Sequence, residues 1–439
     1  MKTQRLISAR TSWRTFALAT AASFMAASFA HAATDIEVWY SLNPYNKQVF
    51  EKLAKEFNGS QGDVKVKLKA FDSTKEIESS LVAGAKSKTL PNLVQLDDNR
   101  SPVEIASHKQ ILPLYSLLAK YPIKDAKWFV SDDNTFMRDS KGRLLAFPYM
   151  IDVPVMFYNV DAFKKANVEP AVPNRSWQGL QDQLVKLANG GSRKCPLTTD
   201  QTVSVNLENL AAVNNQPYTT SDNGLKAGKT APVFDFDILY VRHLSLMISW
   251  VRTELMVKPS QDVNAVKRFA NRECAVLLSN SGNLGTFKDS RSLNFGMTGL
   301  PYYPQVTQKP GNAFVTGSAL WATDGRPQAE NKATSQFLGW LAQPKNAATW
   351  YQSTGYLPLT EQAFSSTNKS YYKDLGDWQQ VVAAYQTKPV ATGRGFKVSN
   401  YPQIKAMFQQ KLDRALNGQD PAVVALKSAS SEASVLMKK

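Results

Sequence analysis

Residues 147–177, FPYMIDVPVMFYNVDAFKKANVEPAVPNRSW, decide the fold class of this 439-residue chain. Within them, 153–157 is an apolar run long enough for a buried strand and too short for a helix core. Tyr158 and Asn159 close it. Asp161 is placed to cap a short helix over 162–166, and Lys164 and Lys165 fall near its C-terminal end, where cations suit the helix dipole. Pro170 and Pro173 then hold the chain extended until Ser176, a second capping residue, starts another helix at Trp177.

Working outward, the same alternation recurs. Residues 36–40 read as a strand, 48–58 as an amphipathic helix with Val49, Phe50, Leu53 and Phe57 on one face, 64–71 as an alternating strand, 75–85 as a helix, and 93–96 as a short buried strand stopped by Asp97 and Asp98. Further on, 273–278, 293–300 and 313–322 are strand-like, the last interrupted by Gly317. Residues 333–343, 346–352, 404–415 and 421–437 are helical, with Pro344 as a break. Strands alternating with helices predict an α/β fold with mostly parallel sheets, and in such sheets ligands sit beyond the carboxyl ends of strands. Lys75 at a helix start, Asp98 after a strand end, and the small polar turn after 278, which contains Asn280, all occupy such places. There is no fixed-period repeat and no low-complexity linker. Crossing strands near 148–154 and 316–320 are expected to join two lobes.

The first 32 residues are expected to be an export signal. Lys2, Arg5, Arg10 and Arg14 precede a small, apolar stretch over 15–29, and Ala30-His31-Ala32 fits a cleavage site after Ala32. The apolar run is too short and alanine-rich for a transmembrane anchor, and no cysteine follows it for a lipid anchor, so the expectation is a soluble protein of a Gram-negative periplasm, without membrane insertion. About 400 remaining residues exceed one core and call for two lobes. The formal charge of +16 falls to +12 without the four signal cations. Lys65, Lys67 and Lys69 alternate with Val64, Val66 and Leu68, which is the pattern of a solvated strand face. Export also argues against nucleic acid as a partner. The two cysteines, Cys195 and Cys274, form an even pair in an oxidising compartment and predict one disulfide; two separate buried thiols are the alternative.

The order Tyr158-Asn159, Asp161, Phe163-Lys164-Lys165-Ala166, prolines, Ser176-Trp177 resembles the extracellular solute-binding proteins of ABC importers, in the large maltodextrin-binding-like class, and especially its glycerol-3-phosphate-binding members. Glu273-Cys274-Ala275, residues 312–321 and 341–358, and Pro402-Gln403-Ile404 extend the resemblance over most of the chain. It implies two lobes, assigned as 33–148 plus 319–358 and 149–318 plus 359–439, closing on a ligand at a hinge. It also implies a monomer that delivers a small polar solute to a membrane permease and its ATPase subunits, with no cofactor and no metal.

The resemblance further implies a ligand set. Gly317 and Tyr356 are retained. Asp98 stands for a glutamate, Lys405 for an arginine, Lys75 for a tyrosine, and Asp152 and Asn280 for two serines. A phosphate suits N–H groups, hydroxyls and cations, so Lys75 and Lys405 fit it, though lysine lacks arginine's two-pronged geometry. Asp152 does not: a carboxylate within about 4 Å of a phosphate is repelled by several kcal/mol at intermediate dielectric. Either a lysine neutralises Asp152, or the phosphate sits elsewhere, or the solute carries none. The alternatives to glycerol 3-phosphate or a glycerophosphodiester are a neutral sugar or polyol, packed on Tyr149, Trp177 and Tyr356, and a choline-like cation. Each residue also has a plainer role open: Asp98 as a cap, Asp152 in a structural ion pair, the lysines solvated, Trp177 in a core. Signs of catalysis are thin: His108 and His243 read as packed or surface residues, and no nucleotide loop, nucleophile elbow or metal-spaced cluster occurs. An exported glycosidase using paired carboxylates is the reading from another class.

Overall fold

The computed structural model describes residues 33–97, 102–191, 194–228, 230–259, 264–290 and 292–437. The expected signal segment and its cleavage site, and Asp98, lie outside the described residues.

Among the described residues ten strands build two sheets: β1 Thr34–Tyr40, β2 Val64–Ala70, β3 Leu93–Asp97, β4 Ile111–Leu112, β5 Phe147–Asp152, β6 Pro154–Asn159, β7 Leu197–Thr199, β8 Val276–Asn280, β9 Phe295–Thr298 and β10 Thr316–Thr323. The first sheet runs β2-β1-β3-β10-β4, with β5 also paired to β10; the second runs β7-β8-β6-β9. The sheets are mixed, not mostly parallel. β1 pairs in parallel with β2 and β3, and β7 with β8, but β10 is antiparallel to β3, β4 and β5, and β6 is antiparallel to β8 and β9. The reason is topological. The βα units give parallel neighbours, whereas β10 in the first sheet and β6 in the second are strands of the crossing segments and run opposite to the strands they pair with.

Only Val153 separates β5 in the first sheet from β6 in the second. Every residue of both strands is buried, so both faces are covered and the apolar run carries no alternation. The helix after β6 spans Val160–Lys165, and its cap is Asn159, not Asp161. Asn159 has extended backbone and accepts from the Asp161 and Ala162 N–H groups at 3.0 and 3.1 Å, while Asp161, one residue into the helix, accepts from Asn294. Ser176 caps helix Trp177–Gly190 by accepting from Gly179, as expected. The strand expected over 273–278 starts later, at Val276, because Cys274 is held in the disulfide to Cys195 and Ala275 bonds to the Cys195 carbonyl.

Phe50, Phe57, Phe337 and Trp350 lie in the core of the first sheet's helices. Trp177, Leu180, Leu244, Trp250, Phe408 and Leu426 lie in that of the second, where helices Tyr401–Leu416 and Ala422–Leu436 pack on Ile238–Arg252. A third cluster, with Ile151, Phe157, Leu277, Val315 and Trp321, runs through the crossing strands and joins the two. Among the described residues no helix is long and apolar enough to cross a membrane.

Candidate functional site

The crossing strands bring several of the expected ligand residues to one place. Asp152 ends β5 and lies opposite Thr316 of β10. The neighbouring Gly317 has φ +100°, and a Cβ there would sit 2.4 Å from the Met150 carbonyl oxygen and 3.2 Å from Asp152 Oδ1, so only glycine lets the two strands cross this closely. From the second sheet, β8 ends at Asn280 and turns through Ser281–Asn283. The Ser281 N–H bonds to the Val153 carbonyl at 2.8 Å, and the Gly282 N–H reaches the Asp152 carboxylate. A Cβ on Gly282 would lie 2.9 Å from Asp152 Oδ2 and 2.8 Å from the Tyr356 ring. The Gly282 carbonyl accepts from Asn46 Nδ2 at 2.9 Å, which ties this turn to helix Pro44–Ser60 of the first sheet.

Tyr356 arrives by a helix stop. Helix Pro344–Thr354 ends at Gly355 in the left-handed conformation, and the next residue is turned toward Asp152. Its ring stacks on Trp350 at 5.5 Å, and Trp350 stacks on Tyr149 at 4.6 Å while donating to the Tyr149 carbonyl at 2.6 Å.

Asp152 is 5 % exposed, and its Oδ1 accepts no hydrogen bond from any described residue. Burial pushes its carboxyl up to about 7; the Gly282 N–H opposes the shift, the charges of Asp200 and Asp97 add to it, and Lys405 draws it down. Asp200 follows β7 and is pushed up to about 6 by burial, with hydrogen bonds from the Ser279 and Gln201 side chains opposing. Asp200 Oδ1 and Asn280 Oδ1 are likewise buried without a donor among the described residues. Lys405, on helix Tyr401–Leu416, pairs at 3.5 Å with buried Glu208, which also accepts from Tyr401 at 2.5 Å. Asp97, at the end of β3 and acting by its charge on Asp152, accepts from Thr74 at 2.5 Å. Lys75, the next residue, is exposed beside Glu78, whose carboxyl burial and Asp97 hold above the usual range. The result is an acid-rich cluster at strand ends, with Lys405 acting on Asp152 and the Tyr356 ring beside it.

The profile of the bacterial extracellular solute-binding proteins matches residues 52–376. The chain belongs to that family. It is 30 % identical over 430 residues to the sn-glycerol-3-phosphate-binding periplasmic protein UgpB of Pectobacterium atrosepticum (97 % of this chain, 96 % of the relative), and 28 % identical over 415 residues to UgpB of Escherichia coli K12 (93 % and 94 %). Among solved structures, UgpB from Mycobacterium tuberculosis in complex with glycerophosphocholine superposes with TM-score 0.74 at 17 % identity (92 % of this chain, 99 % of that one), and maltose-bound MalE3 of T. maritima with 0.71 at 17 % (92 % and 100 %). The architecture is therefore the two-lobed α/β binding-protein fold.

This solute-binding protein does not bring all of the expected residues together. Asp152, Asn280, Gly317, Tyr356 and Lys405 lie near one another, whereas Lys75 is an exposed helix residue near Glu78. Tyr149 is 1 % exposed and forms the inner end of the ring stack. Trp177 packs on His243, Trp250 and Tyr303 in the second core, the plainer role open to it. His243 is a packed residue too: it bonds to Asn206 and Tyr303, and burial drives it down to about 3. Gly282 lies in the small polar turn expected after 278, whereas Asp200 and Asn46 are not among the expected residues. Asp200 directly follows a strand end, the same signal that singled out Asp98. A separate cavity of about 650 Å³ opens between residues 102–145 and 394–397 and shares no lining residue with the Asp152 cluster. Its Arg138 and Arg143 are paired with Asp132 and Asp139, at 2.6 and 2.7 Å, and Arg394 and Lys397 also line it.

Proposed function

We propose that this solute-binding protein is the periplasmic receptor of an ABC importer, taking up a glycerophosphodiester, glycerol 3-phosphate or a related polyol and passing it unaltered to a membrane permease. The relatives named for glycerol-3-phosphate binding match the chain over nearly its whole length, which supports the solute class. The observation that carries the mechanism is the junction at Asp152. A residue at the end of a first-sheet strand meets a second-sheet turn at Gly282 and a first-lobe ring, Tyr356, so a solute seated there would touch both lobes. Contacts from both lobes favour the closed form, and closure by a hinge at the crossing strands is the expected response to binding. On this reading the lobe boundaries follow the strand ends near Val153 and Val315, slightly inside 149 and 318. The chain is exported, cut after Ala32, and acts as a monomer without cofactor, while ATP is used by the permease's ATPase subunits.

Calorimetry with glycerol 3-phosphate, glycerophosphocholine, glycerophosphoethanolamine and maltose tests the reading. One equivalent of a phosphodiester or phosphomonoester should bind and be recovered intact. Tightest binding of maltose would move the protein to the sugar receptors, and hydrolysis of any of the four would make it an enzyme.

A further inference from the structure

We propose that Asp200 and Asp152 together form a subsite for a primary ammonium group on the solute, so that this receptor selects an aminated glycerophosphodiester; the inference rests on the receptor reading above.

The geometry comes from three adjacent strand ends. Asp152 closes β5, Asp200 follows β7, and Asn280 closes β8, which lies beside β7. Each presents a buried Oδ1 that accepts no hydrogen bond from any described residue. Buried acceptors call for donors, and two buried carboxylates also call for positive charge. The charged and titratable groups that face Asp152 are Asp97, Asp200, Lys405 and Tyr356, so acids outnumber cations there. Lys405 already faces Glu208. Hydroxyl groups would satisfy the acceptors and leave the charge. A trimethylammonium group would answer the charge but has no N–H, and it is ordinarily held by an aromatic cage. Here Tyr149 and Trp177 are committed to the cores, leaving the Tyr356 face. A primary ammonium answers both needs: its N–H groups can donate to Asp152, Asp200 and Asn280, and its charge balances the carboxylates.

Calorimetry at pH 8 on the mature protein, with glycerophosphoethanolamine, glycerophosphocholine and glycerol 3-phosphate, separates the contributions, because the first two differ only in the N-methyl groups. The primary amine should bind at least tenfold tighter than either of the others. In D200N that preference should fall toward unity. Its binding should also weaken several-fold from pH 8 to pH 6 in the wild type, as the carboxylates take up protons while the amine stays charged. Equal affinities, tighter choline binding, or an ethanolamine affinity that does not fall with pH would each overturn the subsite while leaving the receptor reading in place. Failure of all three ligands to bind would remove both. A thermal melt checks that D200N folds; if it does not, the three-ligand comparison and the pH series on wild type still decide.

Discussion

Replacing Asp152 by Asn tests the electrostatics of the site without any ligand. The free carboxyl of an unfolded chain titrates near 3.9, and in the folded protein burial pushes Asp152 up to about 7. Because the folded pKa is the higher, the folded state holds a proton that the unfolded state has released throughout the window from about pH 4 to pH 7. Stability therefore falls as pH rises through that window, by up to about 1.4 kcal/mol per unit, and levels off above it. Between pH 5 and pH 8 the wild type should lose roughly 3 kcal/mol from this group alone. Asn cannot ionise and keeps an oxygen for the Gly282 N–H, so D152N should lack that slope. Asp200 acts in the same sense over a lower window, and His243, held neutral in the core, acts in the opposite sense. The His243 contribution cancels in the comparison, and that of Asp200 cancels apart from its charge coupling to Asp152. Urea unfolding of the ligand-free proteins at pH 5, 6, 7 and 8 reads the difference. D152N should gain on the wild type with rising pH, and most of the gain should come by pH 7. Parallel stability curves for the two proteins would refute a desolvated, poorly compensated carboxylate at this position.

Three further substitutions probe the frame around it. Gly317→Ala places a Cβ against the Met150 carbonyl at a positive φ, and the strain plus the displaced strand should cost about 2–4 kcal/mol and lower the melting temperature; an unchanged melt would mean that the strands do not cross this closely. Replacing Cys195 and Cys274 together by Ser opens a loop of 79 residues and should cost about 4 kcal/mol in urea unfolding under oxidising conditions, with wild type under reductant behaving like the variant. Tyr401→Phe removes the hydroxyl that donates to buried Glu208, leaving Lys405 as its cation. A loss of about 1–3 kcal/mol is expected, and no loss would show that Glu208 does not depend on that hydrogen bond.

The elements were legible where their cause is local. The alternation of 64–70 and the helix cap at Ser176 depend on neighbours in the chain, and each lies where its residues place it. Asn159 and Asp161 show the limit of that logic. Both are good capping residues, and the choice fell to Asn159 because β6 delivers it with extended backbone. Strand direction was less legible, since nothing within β10 records that it returns from the second sheet to lie antiparallel to β3 and β5. The site divides in the same way. Gly317, Tyr356 and Asp152 could be picked out because similarity to a family supplied the topology that local pattern does not carry. Tyr149 reads in the sequence as a flat face for a sugar or polyol, yet in a strand covered on both sides the period-two rule cannot say which way a ring points, and Trp350 claims it. Asp200 is the opposite case. Between Thr199 and Gln201 it looks like an ordinary loop acid, and it becomes a buried, half-satisfied carboxylate only because β7 docks beside β8 and carries it next to Ser279 and toward Asp152. Burial created by pairing distant segments leaves no periodic trace, so an acid such as Asp200 sits where the sequence is hardest to read.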